Sequence, residues 1–273
     1  MKKRSLMQRL LGAPYILWAA IFIIVPLIIV VYYSFTDSAG NFTLDNIKGL
    51  AGYKDIFLIS IEYSLIATVI TLLISYPFAY IMSRKKESTQ RIMMMLVMLP
   101  MWMNLLIRTY SWMNILEKNG IINNFLALIG IEPLKMIGTP GAVIFGMIYN
   151  YIPYMILPIY SVMAKIEPSL LEAAEDLGSN GFSKLRRIIL PLSMPGVVSG
   201  FTMVFVPSVS TFYISQKLGG KIMLVGDAIE KQIQSLYNYN LGAALSLVLM
   251  VLILISMALM KKFAGDSGDN ILV

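Results

Sequence analysis

The chain has 273 residues, 58% of them hydrophobic and only 14% charged, with net charge +7 and mean hydropathy +0.74. A water-soluble domain of this length is far more polar, so the composition describes a membrane protein. There is no Cys and no His, which excludes disulfides, thiol nucleophiles, imidazole acid–base chemistry and Cys/His metal sites.

The apolar residues fall into six blocks, at 12–36, 61–83, 92–113, 138–164, 192–216 and 241–260. Each is near the roughly 20 residues that cross a bilayer as a helix. Little remains for a soluble domain, and the chain reads as one all-α integral membrane domain of six transmembrane helices. "MKKRSLMQR" has the makeup of a basic signal-peptide region. The apolar run behind it is too long and no A-x-A-like site follows, so an uncleaved first span is expected.

Basic residues gather at Lys2, Lys3, Arg4 and Arg9, at Arg84, Lys85, Lys86 and Arg91, at Lys165, Lys184, Arg186 and Arg187, and at Lys261 and Lys262. The positive-inside rule then places both termini and the 165–191 loop in the cytoplasm. The excess charge reports topology, and no nucleic acid partner is expected.

Prolines stand inside the spans at Pro26, Pro77, Pro100, Pro153, Pro158 and Pro207. They read equally as ordinary bends and as bent helices around a path. Ionisable residues are nearly absent from span interiors. A proton- or sodium-driven carrier uses intramembrane carboxylates, and a voltage sensor uses an arginine ladder. If this chain transports something uphill, its energy comes from outside it.

Span three reads "LPMWMNLLIRTYSWMN" and span four contains "YNYIPYMILPIY". Trp112 and Arg108 are expected near the outer interface. Asn104, Tyr149, Asn150 and Tyr154 fall deeper, where packing is the commoner role and a path the alternative. The segment 121–131, "IINNFLALIGI", is too short to span and could lie flat at the interface. "KLGGKI" at 217–222 lacks the upstream glycine of a phosphate-binding loop and reads as a turn, so no nucleotide loop is present.

The stretch "EPSLLEAAEDLGSNGFSKLRRIILP", Glu167 to Pro191, is unlike the rest. Pro168 can open a helix. Leu170, Leu171, Ala174 and Leu177 then share one face, with Glu172, Glu175 and Asp176 opposite. Gly178 can stop the helix in the left-handed region. After Gly181 a second amphipathic stretch sets Phe182, Leu185, Ile188 and Ile189 against Lys184, Arg186 and Arg187, and Pro191 is expected to begin span five. A basic interfacial helix explains the second half. The acidic first half is repelled by an anionic leaflet and better satisfied in a groove on another protein.

Glu172-Ala173-Ala174, three residues, Gly178, nine residues, Ile188, one residue and Leu190-Pro191 resemble the EAA loop of ABC importer permeases. The resemblance to the type I permease domain covers about 60–262. It implies that residues 1–59 add a first span and external loop, that 165–191 is a cytoplasmic coupling loop, and that 263–273 is a tail. It also implies that Glu172 meets an ATPase, that Ala173 and Ala174 allow close approach, and that Gly178 makes the turn. The implied partners are a cytoplasmic ATP-binding subunit dimer, a second homologous permease subunit, an extracytoplasmic binding protein and lipid. The chain itself would be no enzyme and hold no cofactor, in a bacterial plasma membrane.

"LPMWMNLLIRTYSW", "IGTPGAV", "YIPYMILPIYS", "LLEAAEDLG", "PLSMPGVVSG" and "PSVSTFYISQKLGG" are similar to the spermidine/putrescine members of that family. The implied substrate is a polyamine, delivered by a polyamine-binding protein. Trp102, Tyr110, Tyr149 and Tyr154 would offer ring faces to ammonium groups, with Asn104 and Asn150 as oxygen donors. The spans hold no central carboxylate, so tight selection is expected in the binding protein. Glu62 and Glu117, near outer ends, read as solvated charges or as cation attractors. A permease for another small solute is the nearest alternative. A channel or secondary carrier, a structural subunit and a membrane enzyme fit the missing charges, the prolines and the loop less well.

Overall fold

The computed structural model describes residues 14–268, with side-chain surroundings as far as Lys262. Lys2, Lys3, Arg4 and Arg9, and residues 269–273 of the expected tail, lie outside the described residues. Those described are almost entirely helical. They hold no strand, only an isolated bridge between Thr36 and Phe42. In chain order the helices are α1 (Pro14–Ser34), α2 (Lys54–Ser83), α3 (Glu87–Trp102), α4 (Leu105–Leu116), α5 (Ile121–Leu128), α6 (Pro140–Met163), α7 (Pro168–Asp176), α8 (Gly181–Val209), α9 (Tyr213–Leu218), α10 (Val225–Glu230) and α11 (Tyr239–Gly268). By length and composition α1, α2 with its lead-in from Asp45, α6, α8 and α11 can each cross a membrane; α3 with the α4–α5 limb makes a sixth span if the pair is counted as one.

Two of the expected spans differ in shape. The third is not one rod, because α3 and the following limb meet at 89°. Met103 leaves the helix with φ −78° and ψ 141°, and Asn104 follows with φ −60° and ψ 132°. The Asn104 Oδ1 accepts from the Leu106 amide at 2.7 Å. A side chain that caps a new helix competes with continuation of the old one. The fifth span was expected from Pro191 to residue 216. The helix instead starts at Gly181, runs through Pro191 and ends at Val209, so the basic stretch is the root of the span. Leu185–Ile189 form a π turn just before Pro191. A proline ring clashes with the carbonyl four residues back, and a widened turn at that position relieves the clash. Ala20–Ile24 form the same device ahead of Pro26.

Contacts group the described residues into two units, one of 14–55 with Ala228–Val251 and one of Ile56–Asp227 with 252–268. In the first, α1 leaves its apolar side chains exposed along its length and buries only Ser34 at its end, as a span facing lipid does. Amide side chains tie the loop beyond it. The Asn46 Nδ2 donates to Ser34 O at 3.3 Å and Thr36 O at 2.8 Å, and the Asn240 Nδ2 donates to Thr36 O at 2.6 Å. Asp37 accepts from the amides of Asn41 and Ala39, and this donation, Asn41 foremost, holds its carboxyl below the ordinary 3.8.

In the second unit, α2 buries a stripe of small residues: Ser60, Ser64, Ala67, Thr68, Thr71, Ser75 and Ala79. Thr68 and Thr71 donate to the carbonyls four residues back at 2.6 and 2.7 Å, which satisfies their hydroxyls within the helix. Such a seam lets helices approach closely where lipid gives little hydrophobic drive for association. Two apolar clusters result. One joins Ala79 and Met82 to Met155, Ile156, Ile159, Met163 and Val204. The other joins Ala67 to Ala142, Val143, Met147, Ile214 and Leu224. Against α6, α8 presents Gly196 and Gly200; a Cβ on Gly196 would stand 2.8 Å from Pro158 O. Backbone meets backbone there, and only glycine fits.

Candidate functional site

The polar loop folds much as its residue pattern predicts. Pro168 occupies the first turn of α7. Gly178 has φ +79°, Gly178 N donates to Glu175 O at 2.8 Å, and Ser179 N donates to Ala174 O at 2.9 Å. These two bonds are the Schellman pair that consumes the last carbonyls of a helix. Asn180 Oδ1 then accepts from Ser183 N at 2.8 Å and starts α8. An ion pair between Glu175 and Lys184 closes the turn.

The apolar face of α7 is divided. Ala174 is 8% exposed and Leu171 packs beside the Met82–Met163 cluster, but Leu170 is 44% and Leu177 87% exposed. Phe182 across the turn is 71% exposed. Glu172, Ala173, Glu175 and Asp176 are exposed too. The loop therefore presents large apolar side chains and carboxylates together, a surface suited to a partner rather than to water. A cleft of about 370 Å³ lined by Val162, Lys165, Ile166, Glu167, Leu170 and Leu192 lies at its root.

The aromatic candidates form separate groups. Trp102 is 82% exposed at the end of α3, and Asn104 beside it caps α4. Tyr110 meets Tyr213 edge-on at 6.1 Å, and the Lys217 ammonium lies 4.9 Å from the Tyr110 ring centre and 5.6 Å from that of Tyr213. Tyr149 packs edge-on against Trp112 at 5.1 Å, and Trp112 also meets Phe145 at 4.6 Å. Tyr154 lies 6.4 Å from Tyr151, whose hydroxyl donates to Pro207 O at 3.4 Å. Asn150 is 1% exposed; its Nδ2 donates to Gly146 O at 2.8 Å, while its Oδ1 is buried without a protein partner. Arg108, expected at the outer interface, is only 7% exposed, and its Nε and Nη1 are buried without protein acceptors.

Sequence reasoning did not single out Tyr213, Lys217 or Tyr151. Tyr213 and Lys217 stand four apart in "STFYISQKLGG", a spacing that puts both on one side of a short helix. Nothing local announces that Tyr110 faces them. Trp112, read as an interface anchor, is the hub of the Phe145–Tyr149 group.

Residues 75–265 match the family model of the binding-protein-dependent transport system inner membrane component. The spermidine/putrescine transport system permease protein PotB of Haemophilus influenzae is 40% identical over 246 residues, 86% of each chain. The protein of the same name in Escherichia coli is 36% identical over 245 residues, covering 86% of this chain and 89% of that one. A crystal structure of a bacterial ABC transporter involved in import of the acidic polysaccharide alginate superposes with TM-score 0.75, over 94% of this chain and 95% of that one, at 18% identity. The last likeness concerns the fold alone.

Proposed function

The chain belongs to the binding-protein-dependent transport system inner membrane components, and from that premise we propose that it is the polyamine-path permease of an ATP-driven importer. The observation that carries the substrate class is 36–40% identity to spermidine/putrescine permeases over most of both chains. Fold alone does not carry it, since the same architecture serves an importer of an acidic polysaccharide.

In this reading a cytoplasmic ATPase dimer supplies the energy that the span interiors cannot. Its cleft receives α7, with Glu172 at the contact, Ala173 and Ala174 allowing close approach, and Gly178 fixing the turn. The exposed Leu170, Leu177 and Phe182 support this reading, because they are apolar surface on a loop that otherwise meets water. A nucleotide can drive the path between states only through contacts that differ between those states, and α7 is where such contacts act. A second, homologous permease completes the path, an external binding protein delivers the solute, and both termini face the cytoplasm.

Along the path, Trp102, Tyr110, Tyr149 and Tyr154 offer ring faces, each contact with an ammonium contributing about 0.5–2 kcal/mol. Asn104 and Asn150 offer amide oxygens, of which the Asn150 Oδ1 is already free of protein donors. Such weak, repeated contacts suit passage rather than storage, and tight selection is left to the binding protein.

The test is uptake of labelled spermidine by cells lacking their own polyamine importer. They would carry this chain with its neighbouring subunits, intact or as Glu172→Lys. Uptake that requires ATP and vanishes in the variant, with the protein still in the membrane, is expected. Assembly and ATP hydrolysis without spermidine or putrescine uptake would overturn the polyamine assignment. Normal uptake by Glu172→Lys would overturn the docking assignment.

A further inference from the structure

We infer that Arg84 is a positioning residue of the coupling loop: its guanidinium ties the end of α2 to the end of α6 and carries displacements of α7 into the membrane helices. This rests on the docking role proposed for α7. Arg84 lies one residue beyond α2, in a turn closed by Arg84 N to Ile81 O and Lys85 N to Met82 O, each 3.2 Å. Its Nη1 donates to Ile166 O at 3.1 Å and its Nη2 to Met163 O at 3.2 Å. The guanidinium carbon also lies 5.6 Å from the ring centre of Tyr80.

The position of those two carbonyls matters. Met163 is the last residue of α6; its carbonyl also accepts from the Ile166 amide at 3.2 Å, and a cation at this end is favoured by the helix dipole. Ile166 is separated from Pro168, the first residue of α7, by Glu167 alone. A planar fork holding both carbonyls fixes the direction in which the chain leaves α6, and so the orientation in which α7 is presented. A single ammonium cannot hold two acceptors in that fixed geometry.

A second tie holds the same turn to the same helix. The Gln90 Nε2 donates to Ser83 O at 3.1 Å and Lys85 O at 2.8 Å, and its Oε1 accepts from the Tyr160 hydroxyl at 2.8 Å. Tyr160, Met163 and Ile166 are 8%, 0% and 7% exposed. The anchors are thus embedded in the Ala79–Met82–Met155 cluster, and dense cores pass displacement on rather than absorb it. A pull on α7 must move Ile166, and through Arg84 and Gln90 it must move the α2–α3 turn as well.

The experiment uses the full complex, with both permeases, ATPase and binding protein, in proteoliposomes, and reads spermidine moved per ATP hydrolysed. Arg84→Gln is expected to assemble and hydrolyse ATP while that ratio falls roughly tenfold or more, the scale of losing one hydrogen bond from a charged donor. Arg84→Lys, which keeps the charge and can reach one carbonyl, should recover part of it. A wild-type ratio in an assembled Arg84→Gln complex overturns the inference.

Should Arg84→Gln fail to assemble, Arg84→Lys, which keeps the charge but not the planar fork, takes its place: a reduced ratio supports the inference, and a wild-type ratio overturns it. The chain has no cysteine, so spin labels at Ser169→Cys and Ser88→Cys, attached to this chain before the complex is assembled, report the α7–α3 distance. That distance should stay narrow through the nucleotide cycle in the otherwise native chain and broaden with Arg84→Gln; identical distributions overturn the inference. Glu172→Lys separates the two readings. If it transports normally, the docking role itself fails. If it uncouples while Arg84→Gln is normal, only the Arg84 role fails.

Discussion

Gly178 offers a clean test, because geometry separates backbone strain from crowding. A Cβ built on Gly178 meets nothing within 4 Å, so no substitution there is opposed by space. Its φ of +79° is the whole obstacle. Holding an L-residue in that region costs about 1–3 kcal/mol, least for Asn and most for a β-branched residue. At 1.4 kcal/mol per tenfold, the turn population should fall by a factor of about 5 to 140. The series Gly, Asn, Ala, Val at this position should therefore lose coupling in that order. The loss should spare membrane insertion, since α7 is exposed and only Ala174 within it is buried. The assay is binding-protein-stimulated ATP hydrolysis by the reconstituted complex, beside co-purification of the ATPase. Wild-type stimulation by Gly178→Val, or equal effects of Asn and Val, would refute the reasoning.

Gly196→Ala should destabilise the α6–α8 seam by about 1–3 kcal/mol, because its Cβ would face Pro158 O at 2.8 Å and Ile159 Cα at 3.0 Å, both backbone; a lower melting temperature in detergent checks this. Asn123→Leu should loosen the segment between α4 and α6, since the Asn123 side chain, 1% exposed, bonds Glu117 O, Leu134 O and Leu134 N at 2.8–3.0 Å. Each buried group left unpaired costs about 1–3 kcal/mol. Faster limited proteolysis between residues 117 and 137 is the expected readout, and unchanged digestion would remove the argument.

Several features were legible because their causes are local. Blocks of about 20 apolar residues have few folds open to them in a bilayer; α1, α2, α6 and α11 cover such blocks, and α8 overlaps one while starting ten residues before Pro191. Pro168, Gly178 and the spacing between them define α7, since a helix start and a left-handed stop are properties of single residues in their own neighbourhood. The break at Asn104 was also written locally, as an asparagine two residues before an amide it could cap. The continuous apolar run around it concealed the signal.

What the sequence alone determined is an all-helical membrane protein with few charges inside its spans and one polar loop unlike the rest. Periodicity, capping and backbone strain suffice for that, because they act over a few residues. Tertiary structure decided what depends on distant parts meeting. It carried the helix through Pro191 by a π turn, buried Arg108, set Lys217 over Tyr110, and placed the Arg84 guanidinium on carbonyls 79 and 82 residues away. Nothing near Arg84 in the chain specifies those acceptors; they become available only where α6 ends beside α2.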